Sequence, residues 1–195
     1  MEDRAKRDYY RLTDTILVEH QFVTEQDAEN GNATDFFTSD PNFHLLRDIY
    51  ELQLESKELL RGISQDNRQL GRFLTNLDAR VDLVAQAAVQ TTTATQSLKA
   101  CHAEISEGGI SFVSSDMLTL GQHLALRLLF QPSYLGLTCF GQIKHCQLEN
   151  EGYRIGIEFK KTDLQTQRII SRHIISRQSE QRRARLHESN LDTPD

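Results

Sequence analysis

The residues with the most chemical reach in this chain are three cysteines, seven histidines and a scattering of arginines. Cys101 stands beside His102, and His145 beside Cys146. Both pairs fall in segments with strand-like alternation, where neighbours point to opposite faces, so neither pair can chelate one metal ion as a unit. The cysteines are expected to pack as small buried hydrophobes next to partly exposed histidines. No Gly-x-Ser-x-Gly elbow, His-Glu-x-x-His pair or Walker loop is present, so no enzyme and no metal site is visible. Two basic groups remain. Arg7 and Arg11, four apart near the N-terminus, form a local site suited to a small anion. Arg182, Arg183 and Arg185 read as a cationic helix end favoured by the helix dipole.

The elements that must position these residues follow from periodicity. The chain has 195 residues, 38% of them hydrophobic, with a net charge of −6. That acidic balance argues against a broad nucleic-acid footprint, which needs a surplus of Lys and Arg. No stretch approaches the ~20 apolar residues of a membrane span, and the charged N-terminus lacks the apolar core of a signal peptide. Three cysteines leave one unpaired in any disulfide scheme, which suits a reducing cytoplasm. Alternation from Ile16 to Val23 predicts a first strand. Residues 24–42, acidic and without Lys or Arg, read as a loop. Period two returns after residue 98, with strands expected at Leu98–Ile105, Ile110–Ser114, Gln122–Phe130, Leu137–Leu148 and Tyr153–Phe159. Six short strands separated by glycine turns predict a small antiparallel barrel or sandwich within an α+β fold. Asp163 is placed to cap a final helix over 163–186, with a disordered tail over 187–195.

Arg7-x-x-x-Arg11 before the first strand, and Glu104-x-Ser106-x-x-Gly109 where the sheet restarts, together resemble the PilZ family of bacterial cyclic di-GMP receptors. That family is a six-stranded β-barrel with R-x-x-x-R in an N-terminal segment and [DN]-x-S-x-x-G on a barrel strand. The Tyr153–Phe159 strand and the C-terminal helix are also similar. The resemblance covers residues 5–23 and 98–180 and departs from the pattern at Glu104, where Asp or Asn is expected. It implies a non-enzymatic signalling or adaptor protein and a ligand site built from Arg7, Arg11, Glu104, Ser106 and Gly109. An arginine can fork onto a phosphate or a guanine edge and stack on the base. Ser106 would donate to the ligand, Gly109 would permit close approach, and the carboxylate at 104 would accept from guanine N–H groups. Glu104 is one methylene longer than Asp, so it would displace the base or set a charge near a phosphate. Arg7 and Arg11 could instead pair with Asp3, Asp8 or Asp14 at a solvated terminus.

Between the two motifs, residues 43–97 change to a heptad period. The seam is Ile49, Leu52, Ser56, Leu59, Ile63, Asp66, Leu70, Phe73, Leu77, Arg80, Val84 and Ala87, nine of twelve apolar, with a flanking row from Leu46 to Ala88. An unbroken helix would reach on the order of 80 Å. Such a stripe is expected to drive self-association, to a dimer or tetramer, because a monomer would leave it in water. Within the resembled family, a long heptad helix inserted after the first strand implies the branch that assembles through such helices and has lost cyclic di-GMP binding residues. A fold-back hairpin on its own barrel is the alternative, with Gly62 or Gly71 supplying the turn, and the Thr91–Thr93 run marks the expected frayed end. The reading is therefore a cyclic di-GMP-binding, self-associating adaptor with an unidentified protein partner. A scaffold that has lost the nucleotide stands as its competitor.

Overall fold

The computed structural model describes residues 11–39, 41–90, 98–131, 133, 135–150 and 152–191. Arg7, Asp3, Asp8 and the Thr91–Thr93 run lie outside the described residues. Six strands, β1 (Leu12–Val23), β2 (Lys99–Ser106), β3 (Gly109–Ser114), β4 (His123–Phe130), β5 (Leu135–Glu149) and β6 (Gly152–Lys160), close into an antiparallel barrel. Around the barrel they run β1-β2-β3-β6-β5-β4. The order follows from pattern and turns: β2–β3 and β5–β6 are hairpins on tight turns, while β1 seals the seam between β2 and β4. Inward residues such as Leu12, Ile16, Ile105, Leu126, Ile143 and Ile155 fill the interior.

β4 is buried on both faces, which explains why its sequence is a nearly unbroken apolar run rather than an alternating one. The cover on its outer face comes from residues expected to be loop. Helix α1 (Glu25–Asn30) and a 3₁₀ turn at Ala33–Phe36 fold over it, packing Ala28, Ala33 and Phe37 on Ala125 and Phe140. Thr24 and Asp27 form the capping box that starts α1. Arg127, buried on the same face, lies against the rings of Phe37 and Phe43 and donates to the Thr38 carbonyl at 2.9 Å.

The heptad segment is two helices, α2 (Pro41–Asp66) and α3 (Arg68–Gln90), folded into an antiparallel hairpin. Gln53 of α2 donates to Asp82 of α3, which in one continuous helix would lie about 43 Å apart. The turn falls at Asn67, not at either glycine. Its Oδ1 accepts the N–H groups of Gln69 and Leu70 at 3.1 and 3.0 Å, so it caps α3. Gly71 serves a different purpose, since a Cβ there would run into Ser64 across the hairpin. Phe43 and Leu46 root α2 on Leu129 and Leu98. The last helix, α4 (Leu164–Leu191), is capped by Asp163 Oδ1, which accepts from the Thr166 N–H at 2.6 Å. That bond holds the Asp163 carboxyl below its ordinary range. α4 buries Ile169, Ile170 and Ile174 against the barrel and runs five residues past the expected end at 186.

Candidate functional site

A groove of about 480 Å³ runs along the β2–β3 turn and across to β6. Four of the five residues picked out by motif line it: Arg11, Glu104, Ser106 and Gly109. The fifth, Arg7, lies outside the described residues. Strand pairing brings them together. Glu104 opposes Thr13 and Ser111, while Ser106 opposes Gly109 at the turn end of the hairpin. Lys144 enters from a register shift in β5 between Ile143 and His145, and Glu107, Glu158 and Gln167 complete the polar rim.

Most of these polar groups already have partners within the chain. Arg11 Nη1 lies 3.4 Å from Glu104 Oε2, and both side chains are about half exposed. Of the alternative partners for Arg11, Asp14 is taken: its carboxylate is held by Arg177 at 2.9 and 3.2 Å in a largely buried fork. Ser106 Oγ donates to the Gly109 carbonyl at 3.3 Å. Glu158 sits between Lys160 and Lys144, and those two ammonium groups hold its carboxyl below the usual range. Glu107 accepts from Ser171 of α4 at 2.7 Å. Gly109 is required by the backbone whatever binds there, because a Cβ would collide with the Ile157 carbonyl of β6. Among the described lining residues the groove carries Arg11 and Lys144 against Glu104, Glu107 and Glu158, one more anion than cation.

Cys101 and His102 turn to different partners, as adjacent strand residues do. Cys139 is buried and Cys101 half-buried, and burial pushes their thiols up to about 12 and about 11. His102 faces Thr15 Oγ at 3.4 Å, whereas Cys101 Sγ turns to the Ile16 carbonyl. No cluster of three metal-ligating side chains occurs among the described residues.

Sequence reasoning missed His173. Its imidazole is fully buried between Phe130 and Tyr50, and Tyr50 Oη lies 3.1 Å from its Nδ1. Desolvation drives its pKa down to about 4. Its place on the apolar face of α4, between Ile170 and Ile174, was the available signal. Together with Lys57–Glu180 at 3.8 Å, it fastens the hairpin root to α4.

The second candidate surface is the hairpin's outer face. Ile49, Ser56, Leu60 and Ile63 of α2 turn partly inward toward Leu74 and Asp78 of α3. Leu52, Leu59, Leu70, Phe73, Leu77, Val81 and Val84 remain exposed, with Leu59 at 69% and Phe73 at 64%. An apolar groove of about 380 Å³ runs between the two helices.

The barrel, the motif groove and the helices define a class, and sequence comparison agrees with it. The PilZ domain model matches residues 66–176, more than half of the chain, and the chain belongs to that family. PilZ domains are ligand-binding and adaptor domains. The fold is shared with a pathogenic protein from Xanthomonas campestris described as a tetrameric PilZ domain self-assembled via a helical bundle. The TM-score is 0.52 at 15% identity, covering 96% of this chain and 93% of that one. An inhibitor of motility from Bacillus subtilis overlaps 43% of each chain at 20% identity and a TM-score of 0.37. The search of curated proteins gives no match. No described helix is long and apolar enough to cross a membrane.

Proposed function

We propose that this chain is a non-enzymatic, cytoplasmic PilZ-type adaptor that self-associates, as a dimer or tetramer, by packing its hairpin against the hairpins of further copies. The observation that carries the reading is the row of seven large apolar side chains left in water on α2 and α3. Burying a side chain of this size is worth roughly 1.5–3 kcal/mol each, so the face gains far more from a partner than the scattered apolar residues of an ordinary surface do. Two such hairpins face to face make a four-helix bundle with the a/d spacing that such packing uses. The assembly described for the Xanthomonas campestris neighbour, a tetramer through a helical bundle, supports the same reading. Multi-angle light scattering of the full chain is the test. A mass of two or four chains at micromolar concentration is expected, and a monomer at high concentration overturns the proposal.

The receptor reading keeps one specific support: Arg11, Glu104, Ser106 and Gly109 share a single groove. Its cost is visible in the same place. A ligand with two phosphates would have to take Arg11 from Glu104 and, among the described lining residues, meet one more anion than cation. The groove therefore favours a weak site, or none, for cyclic di-GMP. Titration calorimetry separates the cases, with no heat expected at tens of micromolar protein, and strong binding there restores the receptor as the primary function.

A further inference from the structure

The outer face of α4 carries a feature that neither the groove nor the hairpin uses. At 100° per residue, Arg168, Arg172, Ile175, Ser179, Arg182 and Arg183 fall within one stripe about 100° wide. All six are exposed, Ile175 at 64%. The opposite side holds the buried Ile169, Ile170, His173 and Ile174. None of the four guanidiniums lies within ion-pair distance of a carboxylate among the described residues. The described carboxylate on the helix, Glu180, sits to one side and is held by Arg177 at 2.8 Å. An acidic protein has thus placed four arginines, without counter-charges among the described residues, in a row about 22 Å long around an isoleucine.

We propose that this stripe is a docking surface for an acidic amphipathic helix of a partner protein, with carboxylates on the arginines and one apolar side chain on Ile175. Arginine forks suit carboxylates bidentately, and the row matches about four turns of a helix laid alongside. Duplex nucleic acid fits less well, because a chain of net charge −6 repels a polyanion outside the stripe. A lipid surface fits less well too, because Ile175 is the one large apolar side chain described on the stripe and inserts little area.

The test is fluorescence anisotropy of the full chain with a labelled helical peptide of about five turns, bearing glutamates along one face around a single leucine. Saturable binding is expected, weakening at least about tenfold between roughly 50 and 300 mM salt as the exposed charges are screened. Arg172→Glu with Arg182→Glu should abolish it, and Ile175→Asp should lower affinity about fivefold or more, on proteins whose circular dichroism is unchanged. No saturation at about 1 mM, or equal binding by the double variant, overturns the proposal. Tighter binding of a duplex DNA, or of vesicles containing phosphatidylserine, than of the peptide at the same salt overturns it as well.

Discussion

The groove beside β2 and the outer face of the hairpin are both concave, exposed and lined by residues of the expected motifs, yet they differ in what is left unsatisfied. In the groove, Arg11 faces Glu104, Ser106 donates to Gly109, and Glu158 holds two lysines. A ligand there must replace bonds already made. On the hairpin, Leu52, Leu59, Phe73 and Val84 have water where a partner would be, and nothing internal competes for them. The described motif residues are thus satisfied within the chain, while the surface proposed to associate lies in an element set between the motif's halves.

The sharpest break of this comparison is on the hairpin. Leu59→Asp with Phe73→Asp should reduce the assembly to monomers in light scattering, a loss of at least about 100-fold in association, with the barrel's circular dichroism intact. If the assembly survives, the hairpin is not its interface. In the barrel, Gly109→Ala should cost about 2–4 kcal/mol in urea unfolding, through the clash with the Ile157 carbonyl. A tolerated alanine would show that β3 and β6 can separate there, and that the glycine belongs to a ligand after all.

Acid should reach the joint between the two regions. The folded state holds His173 at about 4, below its ordinary 6.5. As pH falls the unfolded chain takes up the proton first, so this contribution is complete above 6.5 and lost between 6.5 and 4. Thermal melts across that window should steepen by roughly 2–3 kcal/mol relative to His173→Gln, which bonds Tyr50 without titrating. Parallel curves would remove His173 from the account. Glu104→Gln releases Arg11 and lightens the rim, so any affinity for cyclic di-GMP should rise about tenfold by calorimetry. Unchanged heats would mean that Arg11 does not limit the site. Smallest of all, Gly62→Ala, with open space around it, should stabilise the hairpin by about 0.5–1 kcal/mol. A loss of stability there would mean that the exposed side of α2 is already packed in the assembly.

Much of the fold was legible because its signals are local. Alternation located β2, β3, β5 and β6, and an apolar run between turns located β4, each to within a few residues, and Asp163 capped α4 where its position before Leu164 required. The four described motif residues, Arg11, Glu104, Ser106 and Gly109, met in one groove because β-pairing carries the register outward from the β2–β3 turn to β1. Three features were read wrongly or passed over for physical reasons. The acidic stretch after β1 hid a helix, although its capping box, Thr24 with Asp27, was present. The hairpin turn went unrecognised because Asn67 interrupts an otherwise continuous heptad, and a capping asparagine followed by Arg68 lacks the familiar Asn-Gly form. Glu104 was passed over as a partner for Arg11 because the two are 93 residues apart in sequence.

What the residues alone determined was therefore a small six-stranded antiparallel unit and the long apolar stripe, both by period, while the family came from the resemblance of two motifs. Which groups are satisfied was decided only in three dimensions. Pairing β1 with β2 set Arg11 against Glu104, docking α4 set Arg177 against Asp14, and folding the stripe on itself turned one edge inward and left the other facing water. Hydrophobic burial depends on the side a residue presents, and ion pairing falls off within a few ångströms, so neither can be read from a list of residue types.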